Sequence, residues 1–159
     1  MNIEFMLNGK PCKITITSAD RAVDILANDC GVRSLQPICM KGQCGGCLIL
    51  LDSKPVYSCI LPAFLLRSRS VETLEHFEGT REYVALKAEF GRSAINLPPA
   101  QRTAVLLLGI WLLNKRHVHN RAVIEKTLQI IHPWHLSADE FADILERTES
   151  RLGRSGARA

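Results

Sequence analysis

Cys39-Met40-Lys41-Gly42-Gln43-Cys44-Gly45-Gly46-Cys47, followed by a fourth cysteine at Cys59, is the stretch on which this 159-residue chain turns. Three thiols at C-x4-C-x2-C spacing with a later fourth are the ligand pattern of a plant-type [2Fe-2S] cluster. Four thiolates satisfy two irons, and a short glycine-rich loop lets backbone N–H groups turn toward the anionic sulfurs. Gly42, Gly45 and Gly46 suit such a loop, which needs positive φ and close backbone approach. Structural zinc also uses four cysteines, usually as two short C-x2-C knuckles, and only Cys44 and Cys47 have that spacing. Disulfides would need an oxidising compartment. Both alternatives account for less of the pattern than the cluster does.

The length allows one ordinary domain or two small ones. The formal charge of +4 is mild, with arginines at Arg67, Arg69, Arg147, Arg151, Arg154 and Arg158. No aromatic platform or base-reading motif accompanies them, so they read as a solvated face and tail rather than a nucleic-acid surface. The longest apolar run, from Ala104 to Leu113, is too short to span a bilayer and reads as a buried helix. The N-terminus lacks a basic segment followed by a long apolar core, so no export signal is read. A cytoplasmic protein without membrane insertion is expected.

Outward from the motif, the first half reads as β-rich. Ile3, Phe5 and Leu7 alternate with polar residues, Asn8-Gly9 is a two-residue hairpin signal, and Cys12, Ile14 and Ile16 alternate again. Ser18 is positioned to cap a helix through Ala22, Val23, Ile25 and Leu26 that ends near Gly31. Leu48 to Leu51, a turn at Asp52-Ser53, and Pro55 to Tyr57 form a second hairpin that delivers Cys59, and Val71 to Leu74 reads as a closing strand. Cys12 and Cys30 read as small buried apolar residues rather than ligands.

From about Gly79 the pattern becomes helical. Arg81 to Phe90 carries Val84, Leu86 and Ala88, and Pro98-Pro99 is an entry into an apolar helix from Ala100 to Asn114. Asn120 caps a third helix, and Ser137 with Glu140 has the capping-box spacing that starts a fourth. The expected organisation is α+β: a plant-ferredoxin-like β-grasp domain over residues 1–78, a four-helix bundle over 79–152, and a flexible tail over 153–159.

The segment from Cys39 to Cys59 resembles the small iron–sulfur subunit (or domain) of the molybdenum hydroxylases: xanthine dehydrogenase, aldehyde oxidoreductase and aerobic carbon monoxide dehydrogenase. Their pattern is C-x2-G-x-C-G-x-C, then a strand, an Asp-Gly-Lys-Pro-Val-like turn and Ser-Cys. Cys39, Gly42, Cys44, Gly45, Cys47 and Cys59 match it, as does the short gap from Cys47 to Cys59. Ile38 replaces the glycine common before the first ligand. In that family a helical domain holds a second [2Fe-2S] cluster through C-x2-C-Thr-Pro-Gly and C-x-C motifs. The corresponding positions here are Ala94 and Leu97, and a stretch near Ile131-His132-Pro133. No cysteine follows Cys59.

The resemblance therefore implies the family scaffold with one cluster retained and one lost. It implies an electron-transfer subunit with one [2Fe-2S] cluster on Cys39, Cys44, Cys47 and Cys59. Its partners would be larger oxidoreductase subunits that bind FAD or the molybdenum cofactor. The family passes electrons from molybdenum through the helical-domain cluster to the ferredoxin-like cluster and on to FAD, a route that loses its first relay here. The alternative is an assembly, structural or redox-sensing subunit without an obligatory relay. His117, His119, His132 and His135 read as polar or helix-end residues rather than metal ligands, with Trp134 and Leu97 filling the vacated space. The residues suggest no catalytic set, so the chemistry is expected to belong to a partner.

Overall fold

The computed structural model of the chain describes residues 1–131 and 135–156. Strands β1 (Asn2–Leu7) and β2 (Lys10–Thr15) pair antiparallel around Asn8 and Gly9. Both turn residues take positive φ, 51° and 78°, as a two-residue hairpin of native twist requires. The second hairpin joins β3 (Leu48–Leu51) to β4 (Lys54–Tyr57) through Asp52 and Ser53, again both at positive φ. Strand β5 (Ser70–Glu72) lies between the hairpins, parallel to β1 and antiparallel to β3. The sheet order is β2-β1-β5-β3-β4.

Helix α1 (Ala22–Asp24) runs into a π-helical turn at Ile25–Asp29, with Gly31 just beyond at φ 68°. It starts later than a cap at Ser18 would place it. The Thr17 N–H donates to Asp20 Oδ2 (2.7 Å), and Ala22 and Ala63 exchange backbone bonds with Leu61 and Asp20. This bridge to residues 61–63 keeps the approach extended, so tertiary pairing overrides the local cap signal.

After a single turn, α2 (Leu74–Phe77), four helices follow: α3 (Arg81–Arg92), α4 (Pro99–Asn114), α5 (Arg121–Leu128) and α6 (Ala138–Gly156). Asn120 accepts from the Val123 N–H (3.1 Å) as its cap position predicts. Ser137 and Glu140 form the reciprocal capping box, with Glu140 N–H to Ser137 Oγ at 3.1 Å and Ser137 N–H to Glu140 Oε2 at 2.9 Å. Helix α6 continues past Leu152. The inward face of α3 is Ala85, Leu86 and Glu89, whereas Val84 is exposed. Buried Glu89 pairs with Arg92 (2.8 Å) and with Arg151 of α6 (3.0 Å), so its charge is matched on both sides. At Gly109 of α4, an added Cβ would stand 2.6 Å from Leu86 Cδ2. The missing side chain is what lets α3 come so close to α4.

The chain is thus an α+β protein, an N-terminal β-sheet region followed by a helical bundle. Strand β3 joins the two because both its faces are buried. Leu48 and Leu50 belong to the core built on α4, while Ile49 and Leu51 belong to the core of Ile3, Phe5 and Leu26. Trp111 Nε1 of α4 also donates to the Ser53 carbonyl in the β3–β4 turn (2.8 Å). Among the described residues no helix is long and apolar enough to cross a membrane.

Glu75 ties the approach to the cysteine loop onto the sheet. It accepts from Ser34 N–H (2.6 Å), Ser34 Oγ (2.7 Å) and Thr73 Oγ1 (2.7 Å), while Thr73 bonds Asn8 in the first turn. Burial opposes its ionisation most strongly, but these donors together hold the carboxyl below 4.5. A depressed folded pKa contributes stability that is present above the unfolded value and lost as pH falls through the folded one. Glu75→Gln is expected to lower the melting temperature at neutral pH and to flatten its fall between about pH 5 and pH 3. A melting profile parallel to wild type across that range would show that the network contributes nothing.

Candidate functional site

Between the π turn and β3, residues 31–47 form a loop without regular structure. The Gln36 N–H donates to the Gly46 carbonyl (2.5 Å), the Leu48 N–H to the Gly45 carbonyl (3.1 Å), and the Ile38 N–H to the Gln36 carbonyl (2.8 Å). Met40, Gly42 and Gly45 take positive φ (53°, 66° and 86°). Gly46 has a different reason to be glycine: a Cβ there would collide with the Gln36 carbonyl oxygen and stand 3.1 Å from Ala100 Cβ. The loop lies against the first turns of α4 at both glycines, since a Cβ on Gly45 would be 2.7 Å from Ala104 Cβ.

Cys39 and Cys44 are partly exposed on this loop, while Cys47 and Cys59 are buried beneath it. Cys39 hydrogen-bonds with Cys44 and Cys47 with Cys59, and Cys47 also feels the charge of Cys44. Burial is the largest single influence on Cys39 and disfavours its thiolate. Backbone N–H groups of Lys41, Cys44 and Gln43, with the Cys44 thiol, outweigh it and bring Cys39 down to about 6. The Lys41 N–H lies 3.4 Å from the Cys39 sulfur. Burial, followed by the Cys59 thiol, pushes Cys47 up to about 12. Among the described residues, no group of three or more His, Cys, Asp or Glu side chains is arranged to hold a metal ion. The donor set joins Cys39, outward and leaning to thiolate, to Cys44, and Cys47, inward and held protonated, to Cys59.

Two residues quoted in the motif but given no role by the sequence prove central. Ser58 is fully buried; its hydroxyl and N–H both donate to the Cys47 carbonyl (2.7 and 3.0 Å), which sets Cys59 beside Cys47. Tyr57 donates its hydroxyl to the Gln43 carbonyl (3.2 Å) in the loop and to the Ile130 carbonyl after α5. Burial first, and then the charges of Cys47, Cys44, Cys39 and Cys59, raise the Tyr57 pKa. It is a neutral donor stitching the cysteine loop to the bundle. The signal for it was its position two residues before Cys59, opposite Leu48 across β3 and β4.

The positions aligned with the second family cluster are aliphatic. Leu97 and Ile131 are buried with Leu136 in the bundle core, while Ala94 is exposed. His135 Nδ1 lies 3.0 Å from Oε1 of the buried Gln101. His119 faces Glu146 and Glu149 at 3.7 and 2.9 Å, and the His117 ring packs near Trp111. His132 and Trp134 lie outside the described residues.

No family model matches the chain. It is 31% identical over 75 residues to the nicotinate dehydrogenase small FeS subunit of Eubacterium barkeri, covering 47% of this chain and 48% of that protein. It is 28% identical over 75 residues to the xanthine dehydrogenase iron-sulfur-binding subunit of Escherichia coli O157:H7, covering 47% of this chain and 46% of that one. The match thus spans about half the length of these relatives. The fold likeness reaches further. Quinoline 2-oxidoreductase from Pseudomonas putida 86 superposes with a TM-score of 0.80 at 22% identity, over 97% of this chain and 96% of that chain. Aldehyde oxidoreductase from Desulfovibrio gigas gives a TM-score of 0.79 at 15% identity, over 98% of this chain but 17% of that chain.

The sheet-then-bundle fold is the one these solved structures share. Over about half its length the chain is homologous to small iron–sulfur subunits of the nicotinate and xanthine dehydrogenase kind.

Tyr57→Phe keeps the ring and removes both carbonyl bonds. It is expected to cost about 1–2 kcal/mol in chemical denaturation and to increase hydrogen exchange in residues 41–46 and 129–131 together. Exchange that rises in one segment alone would mean that Tyr57 does not couple them.

Proposed function

We propose that this chain is a non-catalytic electron-transfer subunit holding one [2Fe-2S] cluster, within a larger flavin or molybdenum-hydroxylase-like oxidoreductase. The observation that carries the reading is the gathering of four thiols into two pairs around one N–H-rich loop. A two-iron centre asks for two thiolates at each metal rather than three or more around one, so Cys39 with Cys44 and Cys47 with Cys59 are the ligand pairs. Gly42, Gly45 and Gly46 shape the loop. Residues 1–78 are then a plant-ferredoxin-like β-grasp domain and residues 79–152 a bundle without a cluster of its own. Such a centre would supply one-electron chemistry at a potential on the order of −400 mV.

The chain's own residues set the conditions for that chemistry. N–H groups of Lys41, Gln43 and Cys44 stabilise negative charge at Cys39. Ser58 fixes the inner pair, and burial excludes water from it. Cys47 must lose its proton to ligate, so loading is coupled to proton release. Ile38 (69% exposed), next to Cys39, and Ile60 (61% exposed), next to Cys59 and over Gly42, are exposed aliphatic side chains at the cysteine site. With Phe64 and Leu65 they suit the docking of a larger FAD-binding subunit. The free thiols agree with a reducing, cytoplasmic setting.

A second reading rests on the aliphatic replacement of the other cluster site by Leu97 and Ile131. With no relay on that side, the subunit could serve assembly, structure or redox sensing, and the retained centre would have no obligatory electron traffic.

Iron and acid-labile sulfide should each be found at about two per chain after anaerobic purification. Cys44→Ser should reduce both, and should lower partner turnover at least tenfold while the complex stays intact. Absence of iron and sulfide after reconstitution would sink the cluster. Unchanged turnover in an intact Cys44→Ser complex would leave the cluster and remove the relay. Phe64→Asp is expected to weaken copurification of the partner without changing the iron content.

A further inference from the structure

Two cysteines lie outside the loop and are used by none of the chemistry above. Cys12 sits on edge strand β2, and Cys30 closes the π turn after α1. Both are partly exposed free thiols, and their sulfurs stand 3.6 Å apart across a sequence separation of 18 residues. Their spacing in sequence carries no motif; the sheet and the π turn bring them together. They open onto a cleft of about 590 Å³ that also exposes Lys10, Lys13, Asp29 and His76.

The geometry points to a reversible dithiol site, at which Cys12 and Cys30 exchange with a small peptide disulfide of the glutathione-disulfide class and close to a Cys12–Cys30 disulfide. A disulfide needs its sulfurs at about 2 Å, so side-chain rotation over roughly 1.5 Å closes the gap. The cleft admits a peptide-sized reagent to the pair, with Lys10 and the Glu4-paired Lys13 (2.7 Å) on one side and Asp29 and Glu75 also in its lining, a mixed-charge surface suited to a zwitterionic peptide disulfide. A single buried thiol would offer neither the second sulfur nor the access.

The order of events follows from the surroundings. Burial, then the hydrogen bond to Cys12 and the charge on Cys12, push the Cys30 thiol up to about 12. Cys12, on the open edge strand, is the entering nucleophile. Its thiolate attacks one sulfur of the small disulfide, the S–S bond breaks, and one thiolate departs and takes up a proton. With Cys12 in a mixed disulfide, its charge no longer opposes ionisation of Cys30. Cys30 gives up its proton and attacks the Cys12 sulfur, and the second small thiol leaves. In balance, two protein thiols are oxidised to a disulfide while one small disulfide is reduced to two thiols. A reducing cell reverses the exchange by the same steps.

The test uses the full chain with its cluster content determined, incubated with glutathione disulfide at graded ratios to glutathione, then alkylated, digested and mapped by mass spectrometry. The expected result is a Cys12–Cys30 cross-linked peptide that rises with the oxidised ratio and disappears on returning the ratio. Cys30→Ser should instead accumulate one glutathione on Cys12, and Cys12→Ser should leave Cys30 unmodified. Cys12→Ala, with the melting temperature as a check, covers any folding defect of the serine form. Alkylation of both Cys12 and Cys30 at every ratio would overturn the proposal. So would cross-links that join either residue only to Cys39, Cys44, Cys47 or Cys59.

Discussion

The closeness of the cysteine loop to helix α4 constrains the rest of the molecule. Gly45 and Gly46 face Ala104 and Ala100, and a Cβ on either glycine would fall within about 3 Å of those methyls. Small residues on both surfaces let backbone lie on backbone, which orders a loop that has no secondary structure of its own. The neighbouring elements follow from that contact. Strand β3 leaves the loop directly and must bury both faces, so it reads Leu48-Ile49-Leu50-Leu51 rather than alternating with polar residues. Tyr57 and Trp111 then pin the two ends of the second hairpin to the bundle, each through a backbone carbonyl.

That arrangement explains how the helical half keeps its shape while its sequence diverges. The sequence match covers 47% of the chain, whereas the fold likeness covers 97%. Apolar packing holds the bundle together here. Leu97, Ile131 and Leu136 join Ala104, Leu107 and Leu108 in one core, and the matched charges of Glu89, Arg92 and Arg151 tie α3 to α6. Interiors tolerate hydrophobic substitution when volume and patterning are kept. An aliphatic core can therefore occupy the positions that the family resemblance assigns to a second cluster.

Local chemistry made much of this readable in advance. Asn8-Gly9 and Asp52-Ser53 specify hairpins because their backbones accept positive φ, and Asn120 and Ser137 with Glu140 specify helix starts through side-chain bonds three residues away. The cysteine spacing located the loop, and the glycines its tight places. Long-range terms hid the rest. The cap signal at Ser18 lost to backbone bonds with residues 61–63, and Val84 fell outside a buried face whose third member is the charged Glu89. The roles of Tyr57 and Ser58 depend on carbonyls that only the fold brings near. The Cys12–Cys30 approach likewise comes from the sheet edge meeting the π turn, which no pattern of spacing encodes.

One physical distinction separates the thiols of this protein. Cys39 is surrounded by backbone N–H groups, and its proton is held weakly despite burial. Cys47 and Cys30 face apolar surroundings and another thiol, and each is pushed up to about 12. Positive φ at Met40 and Gly42 helps turn the loop backbone so that its N–H groups reach sulfur, whereas ordinary strand and helix geometry directs N–H groups to carbonyls. Backbone conformation, more than sequence neighbours, thus decides which cysteine presents charge and which stays a neutral thiol until a partner takes its proton. The loop therefore favours negative charge at Cys39, while burial keeps Cys30, in the same half of the chain, a neutral thiol.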